Sequence, residues 1–308
     1  AKWKASGGKE PEYKPAIIKP RRLFTSQYVK EMKILINEVL DEREGNFHYT
    51  SYFDTEQFKH TVGEEEPEYT SQTCILPMTF ILKGKVKTVY ELDEPDKVLI
   101  QYEDKVTAGN GKKEAYVEDK GKICCQISEL LFQELERYGI ATHYVSMPTH
   151  RAMAVKKVEI IPIEVVVRNI AAGSIVRQTT LEEGTELGTP LVEFYLKDDA
   201  KDDPLLTEDR IALMGNYNLK LLKQRATEVN VILQDIFNKI ELTLVDFKLE
   251  YGYDKDGNLI LADELSPDGM RLWKKGTSES FDKDLFRNGN GDILLAYKTI
   301  LTKLQRII

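Results

Sequence analysis

Two acidic residues on a predicted β-hairpin carry the strongest chemical signal in this sequence. Residues 242–253 alternate apolar and charged side chains, and residues 259–264 follow an Asp256-Gly257 pair that is typical of a hairpin turn. A two-residue loop or a symmetric four-residue loop would place Glu250 directly opposite Asp263 on one face of the ribbon. Like charges repel in that position unless a cation bridges them, and carboxylate oxygens suit Mg²⁺. The pattern predicts a magnesium site, and the alternative is a hydrated outer face of the hairpin.

Further charged residues crowd the same region. Asp246 and Lys248 are spaced two apart from each other and from Glu250, so all three project from the same side of the strand. Glu264 and Asp268 follow the second strand closely. Such a concentration of acids and a lysine is compatible with a reaction centre and with a solvated surface.

A second candidate site follows the apolar strand predicted over residues 160–168. The strand ends at Arg168 and leads through Ala-Ala-Gly to Ser174, which sits where a helix cap could be. Glycine allows close approach of a ligand to the backbone, a helix start attracts anions, and an arginine matches phosphate or carboxylate. A plain tight turn explains the same residues equally well.

A third candidate is the start of the strand predicted over residues 85–92. Gly84, Lys85 and Lys87 could present amides and ammonium groups to phosphates at the beginning of a hairpin whose second strand covers residues 98–102. The sequence contains neither a GxxxxGK[ST] motif nor a GxGxxG motif. By themselves, these residues and Lys197 fit an ordinary solvated surface.

The elements that would position these residues mix hairpins with separated helices, which favours an α+β fold. Helices are predicted over residues 120–138, 218–240 and 292–307, the last capped by Asp292. The N-terminal part differs. It begins with an extended stretch over residues 1–20 and continues with an amphipathic helix from Ser26 to Gly45. Residues 46–73 are polar and aromatic, and their acidic run, residues 64–68, fits a solvated loop.

The composition is that of a globular protein with enough residues for about two domains. Of the 308 residues, 42% are hydrophobic and 31% charged, and no apolar run approaches the roughly 18 residues that span a bilayer. The net charge of −8 argues against a general nucleic-acid-binding surface. Three cysteines cannot form a disulfide framework, and no secretory leader is visible. A cytoplasmic protein without membrane or nucleic-acid partners is predicted.

Together, the motifs resemble those of the SAICAR synthetase (phosphoribosylaminoimidazole-succinocarboxamide synthase) family of purine biosynthesis. The matching segments run in the family's order from about Gly84 to the C-terminus: GKVKTVY, TAGNG, PIEVVVRNIAAGS, LKDDAKDDP, LVDFKLEYG, ADELSPDGMRLW and DKDLFR. The resemblance implies an ATP-dependent ligase that joins carboxyaminoimidazole ribotide (CAIR) and L-aspartate through an acyl phosphate. Its products would be SAICAR, ADP and phosphate.

The resemblance also implies roles for individual residues. ATP and Mg²⁺ are the implied cofactors, with ATP at Gly84, Lys85, Val86, Lys87 and Lys197, and the metal at Glu250 and Asp263. The ribotide would bind Arg168, Ser174 and Arg271, while Asp246, Lys248 and Asp268 would line the reaction centre. Asn110 stands where many relatives carry Asp, which puts any contact from that position in doubt.

The resemblance further implies two lobes behind an N-terminal extension. Residues 81–158 would form a small, mostly antiparallel ATP-binding lobe like that of protein kinases, and residues 159–308 a larger lobe with the metal and ribotide sites. Residues 1–80 have no counterpart in compact family members. Their role, and whether the chain forms a homo-oligomer, stay open.

Two rival functions remain at this point. A kinase would use the same lysines and acids, but the sequence has no His-Arg-Asp or Asp-Phe-Gly motif, since Ala152 follows His150-Arg151 and Lys248 follows Asp246-Phe247. A non-catalytic nucleotide-sensing or scaffold protein would be expected to have lost site residues, and here the charged set is intact.

Overall fold

The computed structural model describes residues 79–308, except for residues 110, 112 and 290, and the backbone of three strands nearer the N-terminus. The chain divides into two compact units, residues 1–78 and residues 79–308. All the predicted site residues belong to the second unit.

The described part of the first unit is an antiparallel sheet of three strands in the order β1-β2-β3. The strands are β1 (Asn37–Asp41), β2 (Asn46–Thr50) and β3 (Cys74–Leu76). The predicted helix from Ser26 to Gly45 is therefore wrong at residues 37–41, because pairing with β2 keeps that backbone extended. The polar and aromatic segment 46–73 begins with β2, and its acidic run, residues 64–68, lies outside the described residues. The rest of the predicted helix, and the extended stretch 1–20, also lie outside them.

The second unit begins with a five-stranded antiparallel sheet in the order β4-β5-β6-β10-β9. Its strands are β4 (Phe80–Lys83), β5 (Lys87–Glu91), β6 (Lys97–Tyr102), β9 (Tyr144–Thr149) and β10 (Ala152–Lys156). A separate ribbon pairs β7 (Lys105–Ala108) with β8 (Lys113–Tyr116). The predicted hairpin is confirmed, with Gly84–Val86 as the connection between β4 and β5 instead of the start of β5.

A second antiparallel sheet contains most of the predicted site residues. Its strand order is β13-β12-β11-β14-β15, and β16 also pairs with β14. The strands are β11 (Glu159–Ile170), β12 (Glu186–Leu196), β13 (Leu205–Leu206), β14 (Leu242–Tyr253), β15 (Leu259–Ala262) and β16 (Met270–Lys274). The long strands β11 and β14 lie side by side at its centre.

Helices pack on these sheets through stripes of apolar residues. They are α1 (Lys120–Arg137), α2 (Ser174–Gln178), α3 (Glu208–Met214), α4 (Leu219–Lys239), α5 (Asp284–Asn288) and α6 (Ile293–Leu304). The three long helices confirm the predictions to within a few residues. In α1, the predicted stripe is buried at Ile123, Ile127, Leu131 and Leu135. One apolar core includes side chains from both sheets and from α1, α4 and α6.

The register of the β14–β15 hairpin differs from the prediction. Glu250 pairs with Ala262, not with Asp263, because five residues, 254–258, separate the strands. Within that loop the Asp254 carboxylate accepts the backbone N–H groups of Asp256 and Asn258. An odd number of loop residues shifts the pairing by one, so Asp263 lies one residue beyond the strand.

The α+β class and the mostly antiparallel sheets are confirmed. The division of residues 81–308 into two lobes stays a prediction. Across the part of the chain that the structure describes, none of the helices combines the length and apolar character needed to cross a bilayer.

Candidate active site

Lys248 is the centre of a group of three carboxylates. Its Nζ lies 3.1 Å from Glu164 on the neighbouring strand, 2.5 Å from Oε1 of Glu250, and 3.5 Å from Oδ2 of Asp263. Burial alone would lower the pKa of Lys248, but the three carboxylates outweigh it and raise that pKa well above its ordinary value. Glu250 and Asp263 therefore meet at one ammonium group although they are not cross-strand partners.

The backbone of Asp263 explains how its side chain reaches this group. Asp263 has φ of 63°, in the left-handed region that non-glycine residues seldom adopt. Its carboxylate forms ion pairs with Lys87 and Lys248. Burial would raise the pKa of Asp263, but these two lysines and Lys197 hold it well below its usual range. The carboxylate is thus a permanent anion at the junction of the two sheets.

The predicted phosphate-binding turn lies beside this junction. The backbone N–H of Gly84 donates to the carbonyl of Lys87 at 2.7 Å, which closes the turn. Lys87 Nζ reaches Asp263 and also Glu264, the latter at 3.0 Å. Lys85 Nζ reaches Asp199 at 2.5 Å.

Lys197, which follows β12, extends the same group. Its ammonium lies 2.7 Å from Oε1 of Glu250, and its side chain is 41% exposed. The structure therefore brings Lys197 together with Lys87, Glu250 and Asp263, although these residues come from three distant segments of the sequence. Val86 lies in the turn, and its carbonyl accepts the N–H of Glu103.

The donor set fits a magnesium ion. In the described part of the chain, no cluster of three or more His, Cys, Asp or Glu side chains could hold a metal by itself. Magnesium, however, is commonly bound through one or two carboxylates together with phosphates of the substrate. Glu250 and Asp263 both contact the Lys248 ammonium, so two carboxylates lie near enough to each other to be shared by one such ion.

Arg168 organises the second group of site residues. Its guanidinium donates to Glu193 Oε2, Asp246 Oδ2 and Ser174 Oγ, each at 2.7 Å, and to Tyr195 Oη at 3.1 Å. The side chain is only 4% exposed. Burial raises the pKa of Asp246, and neighbouring arginines partly offset that effect.

Arg271 approaches the same carboxylate from β16. It donates to Asp246 Oδ2 and to Asp284, each at 2.8 Å, and its side chain is 20% exposed. Gly173 makes this position possible, because a Cβ there would lie 2.5 Å from the Arg271 guanidinium. Gly173 also caps the short helix α2, so Ser174 is the first helical residue instead of the predicted cap. Ser174 serves here through its hydroxyl.

These residues line a cavity of about 270 Å³. Six predicted residues belong to its wall: Arg168, Ser174, Asp246, Lys248, Asp268 and Arg271. A larger cavity of about 560 Å³ lies between β11, β12, α4 and β14 and contains none of the predicted residues. The smaller cavity is the candidate for binding an anionic substrate because three arginines and a lysine belong to its wall, together with three acids.

Asp268 belongs to the loop that joins β15 to β16. One carboxylate oxygen accepts the Tyr297 hydroxyl at 2.8 Å, and the other is paired with the ammonium of Lys120. Burial would raise the pKa of Asp268, but Lys120 and Lys283 lower it. The group is therefore an anion in the wall of the cavity.

Several further residues, not predicted from the sequence, belong to the site. Glu164, Tyr195 and Arg287 line the cavity, and Glu193 and Asp284 orient its arginines. Strand alternation could have identified three of them. Glu164 lies four positions before Arg168 and therefore on the same face of its strand, and Glu193 and Tyr195, two positions apart, share a face of theirs. Lys120 and Tyr297 carried no such signal, because they come from distant helices. Asn110 lies outside the described residues.

The two groups, joined through Lys248, form one charged site beside a cavity, and fold and site together define an α+β enzyme. Comparison with known proteins then identifies the family. The SAICAR synthetase family model matches residues 80–304, and the chain belongs to that family. The family predicted from the motifs is confirmed.

Relatives share most of this part of the chain. The phosphoribosylaminoimidazole-succinocarboxamide synthase of Methanocaldococcus jannaschii is 46% identical over 233 residues, which are 75% of this chain and 96% of that protein. The Synechocystis enzyme of the same name is 47% identical over 241 residues, covering 75% of this chain and 91% of the relative.

Solved structures agree with the fold. A SAICAR synthetase in complex with ADP has a TM-score of 0.71 at 40% identity, covering 72% of this chain and 96% of that one. The enzyme from Pyrococcus horikoshii has a TM-score of 0.68 at 40% identity, covering 71% and 97%.

Proposed function

We propose that this chain is the ligase of its family, joining CAIR and L-aspartate at the expense of ATP to give SAICAR, ADP and phosphate. The observation that carries the proposal is the junction at Lys248, where two carboxylates suited to a metal ion lie next to an arginine-lined cavity. The intact charged set argues against a non-catalytic relative. The cysteine usage and composition support a cytoplasmic location.

The nucleotide would bind along the turn Gly84–Lys87. Lys87 and Lys197 lie close enough to the acidic pair to neutralise phosphate oxygens, and the amides of the turn can donate to them. Magnesium, held by Glu250 and Asp263, would neutralise charge on the transferred phosphoryl group. The ADP bound to a relative at 40% identity supports a nucleotide site in this fold.

The ribotide would occupy the cavity lined by the arginines. Arg271 is the more accessible of the two predicted arginines, and Arg287 extends the cationic wall. Arg168 lies deeper and orients Ser174 and Asp246 as well as presenting charge. An incoming phosphate would compete with Asp246 and Asp284 for these guanidinium groups, which favours a substrate with more than one negative charge.

The first step makes the carboxylate of the ribotide electrophilic. A carboxylate oxygen attacks the γ-phosphorus of ATP, the bond between that phosphorus and the β,γ-bridging oxygen breaks, and ADP leaves. Lys248 lines the cavity and keeps its proton, so its ammonium can donate a hydrogen bond to the reacting oxygens. The step needs positioning and charge neutralisation, not a protein nucleophile.

The second step forms the amide. The amine of L-aspartate attacks the acyl carbon, and the bond from that carbon to the phosphate oxygen breaks. In going from the ammonium form in solution to the amide, the amino group of L-aspartate loses two protons. One of them stays on the released hydrogen phosphate and the other enters solution. Asp268, an anion in the cavity wall, is suited to accept a hydrogen bond from an N–H group of a substrate.

A coupled assay of ADP release tests the proposal. With ATP, Mg²⁺, CAIR and L-aspartate present, we expect steady ADP release and formation of SAICAR, and omission of any one substrate should abolish SAICAR formation. Steady ADP release that does not require aspartate would instead support a kinase. Binding of ATP without turnover under all conditions would support a nucleotide sensor.

A further inference from the structure

Two helices support the loop that carries Asp268. From α1, the Ser128 hydroxyl donates to the carbonyl of Leu265 at 3.1 Å, and Lys120 pairs with the Asp268 carboxylate. From α6, the Tyr297 hydroxyl donates to the same carboxylate at 2.8 Å. The loop therefore has its position set by residues that lie behind the cavity and are absent from its wall.

Lys120 is unusual because a lysine rarely lies inside a protein core. It is 1% exposed, and its ammonium pairs with the Asp268 carboxylate and donates to the carbonyl of Lys105 at 3.0 Å. Burying an ion pair seldom improves stability over apolar residues of similar size. Asp268 belongs to the cavity wall, so a functional role of its carboxylate would explain why the buried pair is present despite its cost to folding.

The geometry at Asp268 also restricts its orientation. One oxygen is taken by Tyr297 and the other by Lys120, from two different helices, so rotation of the carboxylate would break one contact or the other. The titratable groups around Asp268 come from every adjoining element: Lys120 and Cys124 of α1, Tyr297 of α6, Glu264 of the loop, and Asp282 and Lys283 before α5.

We propose that Lys120 and Tyr297 are positioning residues that fix the Asp268 carboxylate as an anionic acceptor for an N–H group of a substrate in the cavity. The inference deepens the proposed function and rests on it. Lys120 and Tyr297 act through Asp268, since both side chains are buried and neither lines the cavity.

The pH dependence of turnover tests this proposal. In K120M the carboxylate loses its nearest cation, so its pKa should rise toward the assay range. We expect kcat of K120M, relative to wild type, to fall by about tenfold for each pH unit below that pKa and to recover toward about pH 8.5. The KM for ATP should change little. In Y297F the dependence of kcat on pH should shift in the same direction as in K120M, but by a smaller amount.

The matched control is K122M, which removes a lysine two positions along the same helix and should follow the wild-type profile. If the ratio of variant kcat to wild-type kcat is constant across the pH range for both K120M and Y297F, the two residues are merely structural and the proposal is wrong. Should K120M be inactive at every pH, the profile of Y297F decides in the same way.

Thermal unfolding gives a readout that needs no activity. In K120M an unpaired buried carboxylate should destabilise the fold more as pH rises, so its Tm deficit should grow between about pH 4.5 and pH 8. The double variant K120M/D268N, which has no charge at either position, should show no such growth. A wild-type enzyme without ligase activity would overturn the proposed function, whereas a flat Tm deficit in K120M would overturn the pairing itself.

Discussion

Asp263 combines an uncommon backbone conformation with an ion-paired, half-buried carboxylate. A left-handed aspartate costs on the order of 1 kcal/mol, and such residues persist where the surroundings determine them. Here the conformation turns the side chain back toward Lys248 and Lys87, next to Glu250. The strain is consistent with a residue that has been retained for its carboxylate.

Removal of either acid should therefore affect the reaction more than the fold. We expect Glu250→Gln and Asp263→Asn to lower kcat on the order of 100-fold, because each removes a charge that would help to hold the metal beside the transferred phosphoryl group. Both should also raise the Mg²⁺ concentration that gives half-maximal rate, measured by titration in the ADP-release assay.

The control for these two variants is Glu279→Gln, which alters an exposed acid paired with Lys274. It should leave the Mg²⁺ titration unchanged. A wild-type rate at limiting Mg²⁺ in either site variant would show that the acids do not hold the metal.

Gly173, like Asp263, is a residue whose identity matters to the site, because the Arg271 guanidinium lies where a Cβ would be. In Gly173→Ala, the new methyl group would displace the Arg271 guanidinium, and φ of 68° would strain the backbone. We expect the KM for CAIR to rise about tenfold with little change in the KM for ATP.

Gly184→Ala separates these two effects, because Gly184 also has positive φ but no atom lies within 4 Å of its added Cβ. Steady-state kinetics of both variants provide the comparison. An equal rise of the CAIR KM in both would attribute the effect to backbone strain and not to Arg271.

At the scale of elements, the β14–β15 hairpin shows how a local loop decides a register. Alternation correctly predicted both strands and the shared face of Asp246, Lys248 and Glu250. The length of the loop could not be read from Asp256-Gly257, because the Asp254 carboxylate accepts hydrogen bonds from Asp256 and Asn258 and adds a fifth residue to the loop. The two acids still meet, because the left-handed Asp263 redirects its side chain.

Helix α6 depends on its cap in a way that the sequence predicted. The Asp292 carboxylate accepts the N–H groups of Leu294 and Leu295. We expect Asp292→Ala to lower the free energy of unfolding by about 1 kcal/mol, measured by urea denaturation, whereas Asp292→Asn should lose much less. Equal losses in the two variants would contradict a capping role.

At the scale of the whole molecule, stability should depend on pH through a buried histidine. His143 is 2% exposed and packs edge-on against Phe132. Burial lowers the pKa of His143 to about 3. The unfolded chain binds a proton near pH 6.5 and the folded chain does not, so this contribution to stability is complete above about pH 6.5 and declines as pH falls toward about 3.

We therefore expect wild type to lose about 2 kcal/mol more stability than His143→Phe between pH 7 and pH 5, measured by urea denaturation at each pH. His150→Gln, which changes an exposed histidine, should behave like wild type. Identical pH dependence in wild type and His143→Phe would contradict the prediction.

Local sequence patterns were enough to identify the family and to predict most helices and strands of residues 80–308. Periodic apolar residues and short motifs are local properties, and the chemistry of phosphate transfer requires particular residue types. The tertiary structure decided what local patterns do not contain. It showed the true register of the hairpin and the extended backbone at residues 37–41. It also brought Lys120 and Tyr297 to Asp268 across 148 and 29 positions of sequence, because contacts between distant segments arise only when a common core packs them together.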